Sequence, residues 1–149
     1  MKDFRLLIPL LLLAVLSGCA TPPPEPKPEG YVQSGTFVVR EDQIMRLAAG
    51  ASGTGTLIFE GWQYRFTFTD AKITMTGNAG GDIEGFVYNL DTLRDFEGTY
   101  HPRAEYDEAD HLTGLWARND RGVTLHVSRI GQNISVNFEA KGATITLVE

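Results

Sequence analysis

The densest set of metal-capable side chains is Glu105-Tyr106-Asp107-Glu108-Ala109-Asp110-His111, with four carboxylates and a histidine within seven residues. Oxygen donors at that density suit a hard divalent cation, and Asp107, Glu108, Asp110 and His111 are the candidate ligands. The order Asp-x-Asp-x-Asp-Gly of a calcium loop is missing, and no glycine lies inside the run for a sharp wrap. A solvated hairpin loop, between strands ending near Ala104 and starting at Leu112, is therefore the simpler expectation. His101, His111 and His126 lack the i, i+4 spacing of a zinc-binding helix, so a zinc site would need them to converge in space. His126 stands on the polar face of its strand and is expected to be exposed or paired across strands. His101 precedes Pro102 at a strand end.

Nucleophile chemistry finds little support. No Gly-x-Ser-x-Gly occurs, and Ser128 and Ser135 read as ordinary strand or turn serines. Gly53-Thr54-Gly55 leads into a strand, so it lacks the helix N-terminus that would hold a phosphate. A bulge or close backbone packing accounts for it better. The residues thus point to a non-enzymatic domain with no cofactor. Two tryptophans remain: Trp62 shares the phase of inward aromatics and is expected in the core. Trp116 is out of phase with Leu115 and Ala117 and is a candidate contact residue, either exposed or turned inward by a bulge.

The chain that must position these groups has 149 residues, enough for one domain with one sizeable core. A single cysteine rules out a disulfide framework and a thiolate zinc cluster. A formal charge of −6 argues against a nucleic-acid partner, which would want a basic face.

From residue 53 onward apolar and polar residues alternate, the mark of half-buried strands. Trp62, Tyr64, Phe66 and Phe68 alternate with Gln63, Arg65, Thr67 and Thr69; Val123, Leu125 and Val127 with Thr124, His126 and Ser128; Ile134, Val136 and Phe138 with Ser135, Asn137 and Glu139. Ile73 and Met75 form a further short strand, and Ala143, Ile145 and Leu147 another. Turn signals separate them at Glu60-Gly61, Thr69-Asp70, Asn78 to Gly81, Asn119 to Gly122, Ile130-Gly131-Gln132 and Lys141-Gly142. Further strands are expected near 34–40, 82–89, 98–104 and 112–119. Glu41 to Ala49 reads as a short helix or an irregular strand. Asn89 to Phe96 reads as one helical turn, with Asp91 as a cap, Leu90, Leu93 and Phe96 on one face and Gly98 at its end.

The sum is an all-β fold: a small soluble antiparallel β-barrel, or a sandwich, of about 8–10 strands with one or two short helical turns. Sequential hairpins favour an up-and-down order, and closure would remove exposed edges. A transmembrane barrel needs strands of about 9–11 residues with aromatic girdles. The clear strands here run nearer seven residues, and the face opposite the apolar one carries Thr, Ser, Asn, Arg, His and Glu.

The N-terminus carries Lys2 and Arg5, then an apolar run from Leu6 to Leu16 interrupted by Pro9, then Ser17, Gly18 and Cys19. This is the layout of an export signal, and it falls short of the ~20 residues of a membrane span. Leu16-Ser17-Gly18-Cys19 resembles the lipobox of bacterial lipoproteins. The resemblance implies cleavage before Cys19, lipidation of its thiol and amino group with palmitate-type chains, and membrane anchoring through those chains. Ala20 rather than Asp after the cysteine implies, by the sorting rule of that class, the outer membrane, with the domain in the periplasm. Loss of Lys2, Asp3 and Arg5 would take the formal charge from −6 to −7. Attachment would then rest on lipid and not on attraction to anionic headgroups. The chain divides into 1–18 (signal peptide), 19–30 (lipidated Cys19 and Pro-rich linker) and 31–149 (β-barrel-like domain). Pro22, Pro23, Pro24, Pro26 and Pro28 favour extended polyproline II, a spacer of roughly 30 Å.

Gly53-Thr54-Gly55-Thr56-Leu57, Val87-Tyr88-Asn89-Leu90, Asp95 to Tyr100 and Asn119 to Val123 resemble segments of small exported proteins of Gram-negative bacteria. The Val-Tyr-Asn-Leu segment and the strand layout are also similar to the EipA envelope-integrity proteins, which are small β-barrels. That likeness implies an envelope role, and no site residue is carried over from it. The expected function is a membrane-anchored periplasmic lipoprotein with a structural or partner-binding role among other envelope proteins. The alternatives are a carrier of a small apolar ligand in the barrel interior and an inhibitor of an envelope-directed hydrolase.

Overall fold

The alternating segments fold as strands because β-branched and aromatic side chains fit a pleated, half-buried surface. The computed structural model describes residues 30–47, 50–103 and 115–149. Ten strands lie among them: β1 (Gln33–Val39), β2 (Ile44–Leu47), β3 (Gly50–Phe59), β4 (Trp62–Gly80), β5 (Ile83–Tyr88), β6 (Gly98–Pro102), β7 (Trp116–Arg118), β8 (Thr124–Arg129), β9 (Gln132–Asn137) and β10 (Ala143–Leu147). Two single 3-10 turns interrupt them, at Glu41–Gln43 and Leu93–Phe96. The first runs straight into β2, so the described part of the Glu41 to Ala49 segment, up to Leu47, is the irregular strand and not the short helix. The second is the expected helical turn, although Thr92 and not Asp91 is its N-cap and no side chain caps it.

Eight strands close into an antiparallel barrel in the order β3-β1-β5-β8-β7-β6-β10-β4, with β4 returning to β3. The fold is thus a barrel and not a sandwich, and its order is not up-and-down, because β5 pairs with β1 and β8 and β10 inserts between β6 and β4. The wall narrows where inward glycines face phenylalanines: Gly55 opposite Phe66, Gly53 opposite Phe68 and Gly85 opposite Phe37. A Cβ on Gly55 would collide with the Phe66 ring, and one on Gly85 with the Phe37 ring. Close packing, as expected for Gly53-Thr54-Gly55, is what these residues provide.

Thr69-Asp70 does not separate two strands. Asp70 takes φ 61°, and β4 bends there and continues to Gly80 as one strand of 19 residues. Residues 62–69 belong to the barrel wall, and residues beyond the bend leave it to pair with β9, with Ile73 opposite Val136. β2 in turn hangs on the first residues of β3.

The registers place specific segments at each end of the barrel. At one end lie the chain leading into β1, the β3–β4 turn, the 89–97 loop, the β7–β8 turn and the C-terminus. At the other lie β2, the β4–β9 ribbon and the β8–β9 and β9–β10 connections. We call these the tether-side end and the far end. No helix among the described residues is long and apolar enough to cross a membrane.

Candidate functional site

The interior is filled by the protein's own side chains. Leu57, Val87, Phe96, Tyr100, Val123 and Ala117 are all fully buried. Among the described residues an apolar cavity of about 60 Å³ lies between the core and the far-end ribbon, bounded by Phe68, Ile73, Ile83, Val136 and Phe138 among others. Pockets that hold a drug-sized ligand run to about 300–1,000 Å³. This apolar space is several-fold smaller than that.

The tether-side end is shut by the 89–97 loop, which crosses from β5 to β6 and drops Leu90 and Phe96 into the core. Phe96 meets Phe66 edge-on at 5.3 Å between centroids. A polar latch fixes this plug. Asn119 Nδ2 donates to Asp95 O at 2.7 Å, and its Oδ1 accepts from the backbone N–H of Arg121 at 3.0 Å and of Val123 at 3.1 Å. Arg121 Nη1 donates to Arg94 O at 2.7 Å. Tyr100 Oη donates to Phe96 O at 2.7 Å. Burial pushes the Tyr100 phenol well above its ordinary range; the Asn119 amide and the Arg121 charge pull it back only in part. Glu97 Oε1 accepts from the Leu147 N–H at 2.9 Å and so ties the loop to β10. Two of the segments singled out in the sequence, Asp95 to Tyr100 and Asn119 to Val123, are therefore one structural unit. Its buried phenol serves as a hydrogen-bond donor to the backbone.

On the outer face of β5, β8 and β7 an aromatic cluster sits among the polar residues. Trp116 points outward, as its phase requires, yet is only 1% exposed. Its indole stacks on the His126 imidazole at 3.9 Å and 8° between planes, and on Tyr88 at 5.7 Å. Tyr31, just before β1, meets Tyr88 at 5.9 Å and Trp116 at 6.4 Å, both edge-on. His126 is 2% exposed, so of the two expectations exposure is overturned and the cross-strand role holds: it stands opposite Trp116 on β7 and Phe86 on β5. An exposed Trp116 is overturned as well, and it is buried without turning inward: His126, Tyr88 and Tyr31 pack against it. Thr124, fully buried beside them, has no hydrogen-bond partner for its Oγ1 among the described residues.

Trp62 is the opposite case. It keeps the inward phase of Phe66 and Phe68 but sits at the β3–β4 turn, opposite Phe59, beyond the last pairing of β4 with β10 at Phe66. It is 70% exposed, not packed in the core.

Asp107, Glu108, Asp110 and His111 lie outside the described residues, as does the proposed hairpin loop between Ala104 and Leu112. His101 stands on the outer face of β6, where its Nδ1 lies 3.1 Å from Ala140 O. A carbonyl only accepts, so that bond puts the proton on Nδ1. His101 pairs in register with Arg118. Both border an open groove of about 500 Å³ shared with Arg103 and Asp120. His101 and His126 lie on strands separated by β7, each occupied by a different partner. Among the described residues no three His, Cys, Asp or Glu side chains gather as metal ligands. Sequence reasoning missed the latch residue Asn119 and the outer layer of Tyr31 and Tyr88. The signal for the latter was four aromatics (Phe86, Tyr88, Trp116 and Tyr31) at positions that should meet water.

Comparison with protein-family models, with curated proteins and with solved structures finds no match.

Proposed function

We propose that the chain is an outer-membrane lipoprotein acylated at Cys19, and that its barrel serves the cell envelope by binding a partner at its surface. The observation that supports the surface role is the packed interior of the described residues, whose apolar pocket of about 60 Å³ is well below the roughly 300–1,000 Å³ usual for a drug-sized ligand. Support for the anchor is Leu16-Ser17-Gly18-Cys19 at the end of an apolar run, followed by a proline-dense spacer. Two or more acyl chains give stable anchoring where one alone is marginal.

Labelling with palmitate in the presence and absence of globomycin tests the anchor. The wild-type chain takes up label and sediments with membranes, globomycin retains the uncleaved form, and Cys19→Ala does neither. An unlabelled wild-type protein that stays free of membranes overturns it. Native mass spectrometry of protein purified from cells tests the surface role: the mass of the acylated chain from Cys19 with nothing else bound is expected, and a co-purified apolar molecule would return the function to the interior.

A further inference from the structure

Among the described residues five large apolar side chains are exposed: Val32 (69%), Met45 (62%), Ile58 (41%), Trp62 (70%) and Val148 (47%). All but Met45 lie at the tether-side end. The registers show this directly. Trp62 faces Phe59 across the β3–β4 turn, and Phe59 faces Gly35 on β1. Ile58 is one residue back on the outer face, opposite Gln63 and Thr36. Val32 precedes β1 and exchanges two hydrogen bonds with Asn89 at the end of β5, at 2.9 and 3.0 Å. Val148 follows β10 and donates its N–H to Arg65 O at 2.9 Å.

The same end is where the chain leaves toward Cys19. Tyr31 is packed on the outer wall through Tyr88 and Trp116, and Gly30 before it is exposed. Ten residues, Ala20 to Glu29, separate Cys19 from that point. Extended as polyproline II they reach roughly 30 Å, which lets the rim sit anywhere between the bilayer surface and that height. A tether turns a weak apolar contact into an intramolecular one at millimolar effective concentration, so a few side chains suffice. Tryptophan at a hairpin tip has the amphipathic ring that favours the headgroup region. The charges around it are mixed: Glu60, Asp91 and Glu149 against Arg65 and Arg94. They select no particular headgroup charge.

We propose that this rim (Val32, Ile58, Trp62 and Val148) is a membrane-contacting surface, with Trp62 seated in the headgroup interface of the bilayer that holds the acyl chains. The proposal rests on the lipoprotein reading above. It gives the barrel a fixed orientation: the tether-side end faces lipid, and the far end and outer aromatic wall face the periplasm.

The test uses tryptophan emission, because Trp116 is buried and Trp62 is not. The full chain, processed in cells and purified in detergent, is reconstituted into phosphatidylcholine vesicles, with or without lipid brominated near the top of its acyl chains. Brominated lipid is expected to lower the Trp62 contribution about twofold or more and to leave Trp62→Phe, which reports Trp116, unchanged. In plain vesicles the wild-type emission shifts to shorter wavelength. Trp62 emission that ignores bromine and stays open to acrylamide overturns the proposal, whether the spacer holds the domain away or a protein covers the rim. A second arm couples the chain from residue 19 to a maleimide lipid through the Cys19 thiol; its barrel is built wholly from Gln33 onward. Quenching in this arm, with no acylation in cells, would overturn the anchor and leave the rim's affinity for lipid standing. Acylation in cells without quenching in either arm would do the reverse.

Discussion

The two ends of the barrel are closed by different physics. At the tether-side end one loop lays Phe96, fully buried, into the barrel and holds it by hydrogen bonds through Asn119, Tyr100, Glu97 and Arg121. At the far end the closure is the β4–β9 ribbon, whose Ile73, Ile134, Val136 and Phe138 are only half-buried. β9 pairs with β4 alone. A plug with directional bonds to three other segments can leave only with a large part of the fold. A ribbon held along one edge over a small void can lift by itself. The difference teaches where each end is suited to work: the fixed end carries the chain toward Cys19, and the far end is where local opening begins.

The sharpest way to break this comparison is to empty the plug. Phe96→Ala removes a fully buried ring that touches Phe66 and Tyr100. It should cost about 3–5 kcal/mol in urea unfolding followed by circular dichroism. A loss under about 1 kcal/mol would mean that the loop is not the closure. Asn119→Ala comes next. It leaves the buried Val123 N–H and the Asp95 carbonyl without their partners, and the expected loss is about 2–3 kcal/mol. Phe138→Ala at the far end should cost about 1–2 kcal/mol, because its side chain is already partly in water. Equal losses from Phe96→Ala and Phe138→Ala would erase the distinction between the ends. Hydrogen exchange supplies an independent measure: the amides of β9 should exchange well before those of β8, which is paired on both sides.

Much of the barrel was legible because period two reports which side of a wall a residue faces. It was right for Phe66, Phe68, Leu125, Ile145 and even for Trp62 and Trp116. What period two does not report is what lies on that side. Trp62 has the inward phase at a height where β10 no longer pairs with β4, so it meets water. Trp116 and His126 face outward but are buried, stacked on each other with Tyr88 and Tyr31 packed against Trp116. Registers between strands distant in sequence, such as Gly85 against Phe37, follow from closure and were not readable from either segment alone. Asp70 carried a true local signal, since its φ of 61° is a turn conformation. The ladder beyond it continued because β9 was present to pair with the bent strand. Asn119 was read as part of a turn, which it is. Its side chain reaches Asp95, 24 residues away in sequence, and no local pattern encodes that contact.

The smallest expected effect probes the latch alone. Tyr100 is one of five tyrosines, and its hydroxyl donates to Phe96 O inside the plug. Tyr100→Phe keeps the ring and removes that bond, for an expected loss of about 1 kcal/mol near neutral pH. Its effect on alkaline stability has the opposite sign. Burial raises the folded-state phenol well above the unfolded value of about 10, so above that pH the unfolded chain releases a proton that the folded chain keeps. The unfolded state then binds fewer protons, and stability falls as pH rises. Above about pH 10 the wild type should therefore lose up to about 1.4 kcal/mol per pH unit more than Tyr100→Phe, and the gap between the two proteins should close and then invert. Parallel urea midpoints for the two proteins from neutral to alkaline pH would show that the phenol ionises freely in the fold. That result would open the latch and, with it, the claim that the tether-side end is the fixed one.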